Sequence, residues 1–364
     1  MAEIGIGMLG YAFMGKAHSN AFHKLAYMTW PPPLVPKLVG IAGRNAEAVE
    51  LAATRYGYEY ATDDWETLVD DREIGLFDNG GPNSLHAEPT IRAAQAGKHV
   101  VCEKPLGRDA DESYRIWQEV ARTGVKHMCA FNYRFVPAVR LAREMIEAGE
   151  LGEIRHFRCR YLQDWGDDPS LDTWRFSAEQ AGGGAIGDLM SHVVDVARFL
   201  NGEISAVSGF AKTFIVGREV DDAAEAAVEF ENGSVGTFES TRFAHGHRNA
   251  LQWEINGTKG AIAFDMERFA DLQVFRKGDD RVRGFTTVQV SEESHPFAQW
   301  WWPPGHVVGW GDTFVHELHH MLDAIANDKD VAPYAATFED GYRCAEVCDA
   351  IARGGRQALS YRSL

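Results

Sequence analysis

Asp188 and His192 stand four residues apart behind the run Gly182-Gly183-Gly184-Ala185-Ile186-Gly187, at the head of an apolar stretch reaching Leu200. That spacing predicts a helix with both side chains on one face. Near a helix start the macrodipole favours a carboxylate, and the carboxylate can hold or bias an imidazole. Such a pair can move protons, and the same residues also suit a capped helix with a satisfied histidine. Lys104 is a second candidate, in Glu103-Lys104-Pro105-Leu106 directly after the apolar run His99-Val100-Val101-Cys102. A lysine at a strand end can stabilise an oxygen that gains negative charge. It can equally be a solvated surface charge.

Elements of the right kind surround these residues. Ile4 to Leu9 reads as a strand, Gly10-Tyr11-Ala12-Phe13-Met14-Gly15 as a tight turn, and Lys16 onward as a helix. This is a dinucleotide fingerprint with Ala12 at the middle glycine position. The first glycine permits the turn, the middle residue must be small beside the pyrophosphate, and the last lets helix pack on strand. A second strand, Lys37 to Ala42, leads into Gly43-Arg44-Asn45, where an acid usually meets the adenosine ribose. None is present. Arg44 can meet a 2'-phosphate, which leans toward NADP over NAD, or it can be a solvated charge.

Strand and helix patterns then alternate to Ala130, which predicts a parallel sheet covered on both faces with ligands at its carboxyl ends. After Phe131 the pattern changes to a long aromatic loop from Gln163 to Gly184 and then strands with hairpin turns at Asn232-Gly233 and Gly257-Thr258-Lys259-Gly260. The expected fold is an α/β Rossmann domain over residues 1–132 and an α+β domain with a large, mainly antiparallel open sheet over 133–364. The two closing helices, about Asp312 to Asn327 and Phe338 to Arg353, have apolar spacing that suits packing on that sheet or back on the first domain.

Composition sets outer limits. The length of 364 residues favours two domains, and 53 acidic against 36 basic residues give a net charge of -17. Such a surface opposes non-specific nucleic-acid binding. There is no membrane-length apolar run or signal-peptide pattern, and the five cysteines lack a Cys-x-x-Cys pair. A cytoplasmic protein with buried free thiols is the expectation.

The Gly10–Gly15 fingerprint, Gly81-Pro82-Asn83 with His86, Glu103-Lys104-Pro105 and the Asp188/His192 helix occur in that order. Together they resemble the Gfo/Idh/MocA family of sugar and polyol oxidoreductases over nearly the whole chain. The resemblance implies NAD or NADP held by Gly10, Ala12, Phe13, Met14, Gly15, Arg44, Pro82, Asn83, His86, Glu103 and Lys104. It implies Lys104, Asp188 and His192 as catalytic residues, with either His192 or Lys104 as proton acceptor. A small sugar substrate would meet Lys104, Asp188 and His192 together with Tyr133, Arg134, Gln163, Trp165, Trp174 and Arg175. The C-terminal sheet would join a homodimer or homotetramer.

Tyr161-Leu162-Gln163-Asp164-Trp165, Trp174-Arg175-Phe176 and Met14 to Ser19 are most similar to members that oxidise the 3-hydroxyl of an anhydrosugar with NAD. The segment before Val220-Asp221-Asp222 is shorter here than in those members. Glycosides, inositols and other polyols are the alternative substrates. A different class of function is also written in the chain: His316-Glu317-Leu318-His319-His320 fits a zinc hydrolase helix, with His316 and His320 as ligands and Glu317 as base. No metal is expected, because that pattern leaves Lys104, Asp188 and His192 unexplained. A protein that binds the cofactor without catalysis is the third reading.

Overall fold

The computed structural model describes residues 1–364 except 169, 172, 279, 280 and 282. Two of these, Pro169 and Asp172, belong to the expected aromatic loop and lie outside the described residues. The chain divides into two compact units. One holds Met1–Asn132, Gly311–Arg343 and Leu364, and the other holds Tyr133–Trp310 and Cys344–Ser363.

The first unit is built on β1 (Glu3–Leu9), β2 (Val35–Ala42), β3 (Tyr60–Thr62), β4 (Ile74–Asn79), β5 (His99–Glu103) and β6 (His127–Ala130). Their order is β3-β2-β1-β4-β5-β6, and every pairing is parallel. This is the doubly wound dinucleotide-binding order, with its reversal between β1 and β4. Ile6, Met8, Ile41, Leu76, Phe77, Val100 and Val101 are buried, as strands covered on both faces require. Between its strands run the helices α1 (Phe13–Met28), α2 (Ala46–Tyr56), α3 (Glu66–Asp70), α4 (Ala87–Gln95) and α5 (Ala110–Ala121). Asn45 and Asp109 cap two of them, accepting from the amides of Ala48 and Glu112 at 3.0 and 2.7 Å.

Gly311–Arg343, grouped by sequence with the second domain, lies in this first unit. The apolar face of its helix explains why, because Phe314, Val315, Leu318, Met321 and Leu322 are all buried and the helix packs on α1. Phe314 meets the ring of His18, and Asn132 Nδ2 donates to Thr313 Oγ1 at 2.9 Å.

The second unit contains α6 (Pro137–Glu147), β7 (Ile154–Leu162), α7 (Ala178–Ala181), α8 (Ser191–Asn201), β8 (Ile204–Lys212), β9 (Ala223–Phe230) and β10 (Val235–Thr241). It continues with β11 (Ala250–Gly257), β12 (Gly260–Asp265), β13 (Asp271–Arg276), β14 (Thr286–Gln289) and, near the end of the chain, β15 (Gly355–Ala358). Among the described residues these form one sheet in the order β14-β13-β12-β11-β7-β10-β9-β8-β15. Pairing is antiparallel except between β7 and β10. Side chains alternate cleanly. In β9, Ala224, Ala226, Val228 and Phe230 are buried while Glu225, Ala227 and Glu229 face solvent. Helices α6 and α8 pack on the sheet. The polar face carries cross-strand partners, with Arg158 donating to Glu254 and Arg160 to Gln252, each at 2.8 Å. Among the described residues, no helix is long and apolar enough to cross a membrane.

Candidate active site

In the first unit the fingerprint glycines make a cradle that side chains would fill. Gly10 has φ +103°, and a Cβ there would lie 2.6 Å from the Gly80 oxygen. A Cβ on Gly15 would lie 2.0 Å from the Gly10 oxygen. Ala12 precedes α1, whose first turn holds no acidic residue, so the amide-rich helix start suits an anion. Phe13 is exposed and Met14 half-buried beside it. After β4, Asn79 ties the Gly80-Gly81-Pro82-Asn83 turn: its Nδ2 donates to Leu85 O at 2.9 Å and its Oδ1 accepts the Gly81 amide at 3.2 Å. Gly10 and this turn thus flank the point of strand reversal, the usual place for a dinucleotide. Arg44 is exposed after β2. Its neighbour Gly43 is pressed by the Tyr11 ring, which a Cβ would meet at 2.2 Å. Tyr11 was not singled out by sequence, because nothing local marks an aromatic that folds onto the next turn.

Lys104 follows β5, and its amide donates to Glu103 Oε2 at 3.0 Å. The other oxygen, Oε1, lies 3.1 Å from His18 Nε2, and His18 Nδ1 lies 2.8 Å from Asp78 Oδ2. His18 and Asp78 are fully buried and Glu103 nearly so. Burial alone would lower the imidazole pKa, but the charges and hydrogen bonds of Asp78 and Glu103 outweigh it and hold it well above the usual value. An imidazolium therefore ties α1 to the ends of β4 and β5. Glu103, expected at the cofactor, holds the lysine turn from within. His86 differs from expectation in a similar way. It is 1% exposed, with Nδ1 2.8 Å from Pro105 O and Nε2 3.1 Å from Gly81 O. It joins the two ligand-side turns, and burial lowers its pKa.

In the second unit Asp188 lies in a π-helical turn, Ile186–Met190, that runs into α8. This corrects the regular α-helix expected from spacing. Asp221 sets the turn, taking the Gly184 and Ile186 amides on Oδ1 and Oδ2 at 2.8 Å each. A Cβ at Gly184 would sit 1.7 Å from the Asp221 oxygen. Single π turns recur at functional sites because they re-aim a side chain. Asp188 Oδ2 then accepts from Arg242 Nη2 at 3.0 Å.

His192 is 5% exposed and lies under aromatic rings, with its centroid 4.3 Å from that of Tyr133 and 5.7 Å from that of Tyr161. The two tyrosine hydroxyls meet at 2.7 Å, and Tyr161 donates to Asn249 Oδ1 at 2.5 Å. Gln163 Nε2 reaches the same Asn249 oxygen at 2.9 Å, and its Oε1 accepts from Trp165 Nε1 at 2.6 Å. Burial, reinforced by Tyr133, keeps the Tyr161 phenol protonated far above neutral pH. Tyr133, Gln163, Trp165, Asp188 and His192 are therefore linked through Asn249 and Arg242, which sequence did not flag, and through Tyr161, which it marked only as part of a motif.

Trp165 stacks on Phe176 at 5.5 Å, and Trp174 carries the Arg175 guanidinium 4.6 Å over its ring. Arg134, expected at the sugar, is held by a partner within its own unit. Its Nε and Nη2 both donate to Asp195, and the two side chains are 3% and 1% exposed. A buried ion pair fixes it inside the fold, where its guanidinium also lies over Phe199. The residues of the zinc pattern lie in the interior or are already bonded. His316 and Glu317 are fully buried, and His320 Nε2 lies 2.8 Å from Val331 O. Burial lowers His319 to about 4, and among the described residues no His, Cys, Asp and Glu cluster could hold a metal.

The parallel sheet and its glycine cradle define a dinucleotide-binding Rossmann unit. Comparison with known proteins gives the same class. Residues 4–131 match the family described as "Oxidoreductase family, NAD-binding Rossmann fold", and residues 139–263 match the "GFO/IDH/MocA C-terminal domain". The chain belongs to the GFO/IDH/MocA family of oxidoreductases. It is 42% identical to levoglucosan dehydrogenase of Pseudarthrobacter phenanthrenivorans, over 96% of each chain. It is 30% identical to scyllo-inositol 2-dehydrogenase (NAD(+)) of Bacillus subtilis, over 72% of each. Among solved structures, levoglucosan dehydrogenase in complex with NADH and levoglucosan superposes with a TM-score of 0.95 at 42% identity, covering 98% of this chain and 99% of that one.

Proposed function

We propose that this chain is an NAD(P)-dependent dehydrogenase that oxidises a secondary hydroxyl, at C3, of a sugar, a glycoside or an anhydrosugar such as levoglucosan. The observation that carries the reading is its whole-length likeness to an enzyme solved with NADH and levoglucosan. The glycine cradle of Gly10 and Gly15 and the anion-ready head of α1 fit the pyrophosphate of such a cofactor. Gly10, Ala12, Phe13, Met14, Gly15, Pro82 and Asn83 would hold it, with Arg44 toward the adenosine end. When bound, the nicotinamide supplies the hydride acceptor.

The chain's own residues handle the proton and the substrate. Lys104 donates to the reacting oxygen and stabilises its developing charge. His192 takes the hydroxyl proton, since imidazole titrates where such a reaction runs, and Lys104 as the base is the competing assignment. Asp188 accepts a hydrogen bond from a sugar hydroxyl. Trp165 and Trp174 offer aromatic faces to the apolar side of a sugar ring, and Gln163 and Arg175 offer polar groups to its hydroxyls.

The assay is absorbance of the reduced nicotinamide with NAD or NADP and a panel of levoglucosan, glucose, simple glycosides and inositols. Turnover with levoglucosan supports the reading, and turnover with inositols alone transfers it to the polyol alternative. A response to NADP alone assigns Arg44 to a 2'-phosphate. The polar open face of the second sheet is the proposed subunit contact, and light scattering distinguishes dimer from tetramer. The five buried free thiols fit a reducing, cytoplasmic compartment.

A further inference from the structure

Arg242, the residue after β10, is the most deeply buried arginine against the candidate sugar-binding residues. It is 1% exposed, and Nη2 donates to both Asp188 Oδ2 and Gly184 O at 3.0 Å. Its guanidinium carbon lies 4.8 Å from the Trp165 centroid and 5.9 Å from that of Phe176. Nε and Nη1 are buried without a hydrogen-bond partner. Its backbone is clamped as well, with its amide donating to Asp222 O at 3.1 Å and its carbonyl accepting from the Gly166 amide at 3.0 Å.

A cation withdrawn from water to this degree is costly when only part of its donor set is matched. An apolar residue of similar size would fill the same volume at less cost. What the guanidinium adds is a fixed positive charge touching the Asp188 carboxylate and the underside of the Trp165–Phe176 stack.

We propose that Arg242 is a positioning residue for the dehydrogenase reaction: it fixes Asp188 as an anion that accepts a substrate hydrogen bond, leaves proton removal to His192, and supports the Trp165 face. The inference rests on the proposed role of Asp188. Among the described residues of this unit, titratable groups near this turn include His192 on α8, Tyr133 after β6, Tyr161 on β7 and Asp221 before β9. Tyr161 stays neutral by burial, and Asp221 is occupied by the Gly184 and Ile186 amides. Arg242 is a cation bonded to the carboxylate.

The test compares Arg242→Gln, Arg242→Lys, Asp188→Asn and the Gln/Asn double variant in the full-length enzyme, using the sugar that turns over in the panel above. The kcat/KM for sugar is followed against pH, beside the KM for the coenzyme. Arg242→Gln is expected to lower kcat/KM about 10–100-fold, as loss of a residue supporting a contact residue does. The acid limb of its profile moves to higher pH, because Asp188 protonates more readily without the guanidinium. The coenzyme KM stays unchanged. Arg242→Lys brings the acid limb back without restoring the full rate, since a point charge replaces a planar fork. The double variant is expected to be no worse than Asp188→Asn alone.

A wild-type profile for Arg242→Gln, or losses that multiply in the double variant, would overturn the inference while leaving Asp188 in its role. Full activity of Asp188→Asn would instead remove the reading of Asp188, and this inference with it. If Arg242→Gln does not fold, the Arg242→Lys profile decides, because an acid limb displaced upward despite the retained charge contradicts the proposal.

Discussion

His18 Nε2 lies 3.1 Å from Glu103 Oε1, across a separation of 85 residues, and the opposite oxygen of that carboxylate holds the amide of Lys104. A buried imidazolium thus sits one residue away from the lysine assigned to the reacting oxygen. Because the folded pKa of His18 is raised, its contribution to stability is present in full below about pH 6.5 and is lost as pH rises through the folded value. Chemical denaturation is expected to show wild-type stability falling above neutrality. His18→Gln removes that slope and costs about 3–5 kcal/mol near pH 6.5, as breaking a buried ion network does. A slope that persists in the variant would assign it to other groups.

Gly184 is pinned against a backbone carbonyl rather than a yielding side chain, so no rotamer change can admit a methyl group. Gly184→Ala is expected to displace the π turn that carries Asp188 and to lower kcat/KM at least about 100-fold, since small misplacements cost that much. Coenzyme binding in the other unit is expected to survive. Calorimetric titration with the coenzyme, set beside steady-state kinetics, separates the two effects.

Trp165 stacks on Phe176 and carries a guanidinium on its ring system. Trp165→Ala is expected to raise the KM for sugar about 10-fold or more, on the scale of about 1–2 kcal/mol for a lost aromatic contact. The coenzyme KM is expected to stay unchanged. A loss confined to thermal stability, with normal sugar kinetics, would make Trp165 a packing residue.

Prolonged dialysis against EDTA is expected to leave the dehydrogenase rate unchanged, given the buried His316 and the occupied His320 Nε2. Loss of activity that returns with added zinc would overturn the non-metal assignment.

Much of the first sheet is legible in sequence, because a strand covered on both faces must be a continuous apolar run such as Val100-Val101-Cys102, and a strand-to-helix turn beside a dinucleotide must be glycine. The short edge strands were harder. Thr286–Gln289 is a short, largely polar segment and Gly355–Ala358 opens on a glycine, and the strand geometry of each comes from pairing with β13 and β8. The helix at Asp312 shows the same limit from another side. Its apolar face is plain, but an apolar face does not say which unit will cover it.

Sequence by itself determined the class of chemistry. Lys104, Asp188 and His192 can be proposed from sequence because proton transfer and charge stabilisation demand particular side chains, and glycine turns next to them demand particular backbones. The tertiary structure decided what supports those groups. His18 reaches Glu103, Asp221 shapes the turn before Asp188, and Arg242 meets the Asp188 carboxylate, all across long stretches of chain. Local patterns cannot encode such meetings, because a buried charge is tolerable only opposite a partner whose position is fixed by the packing of the whole unit.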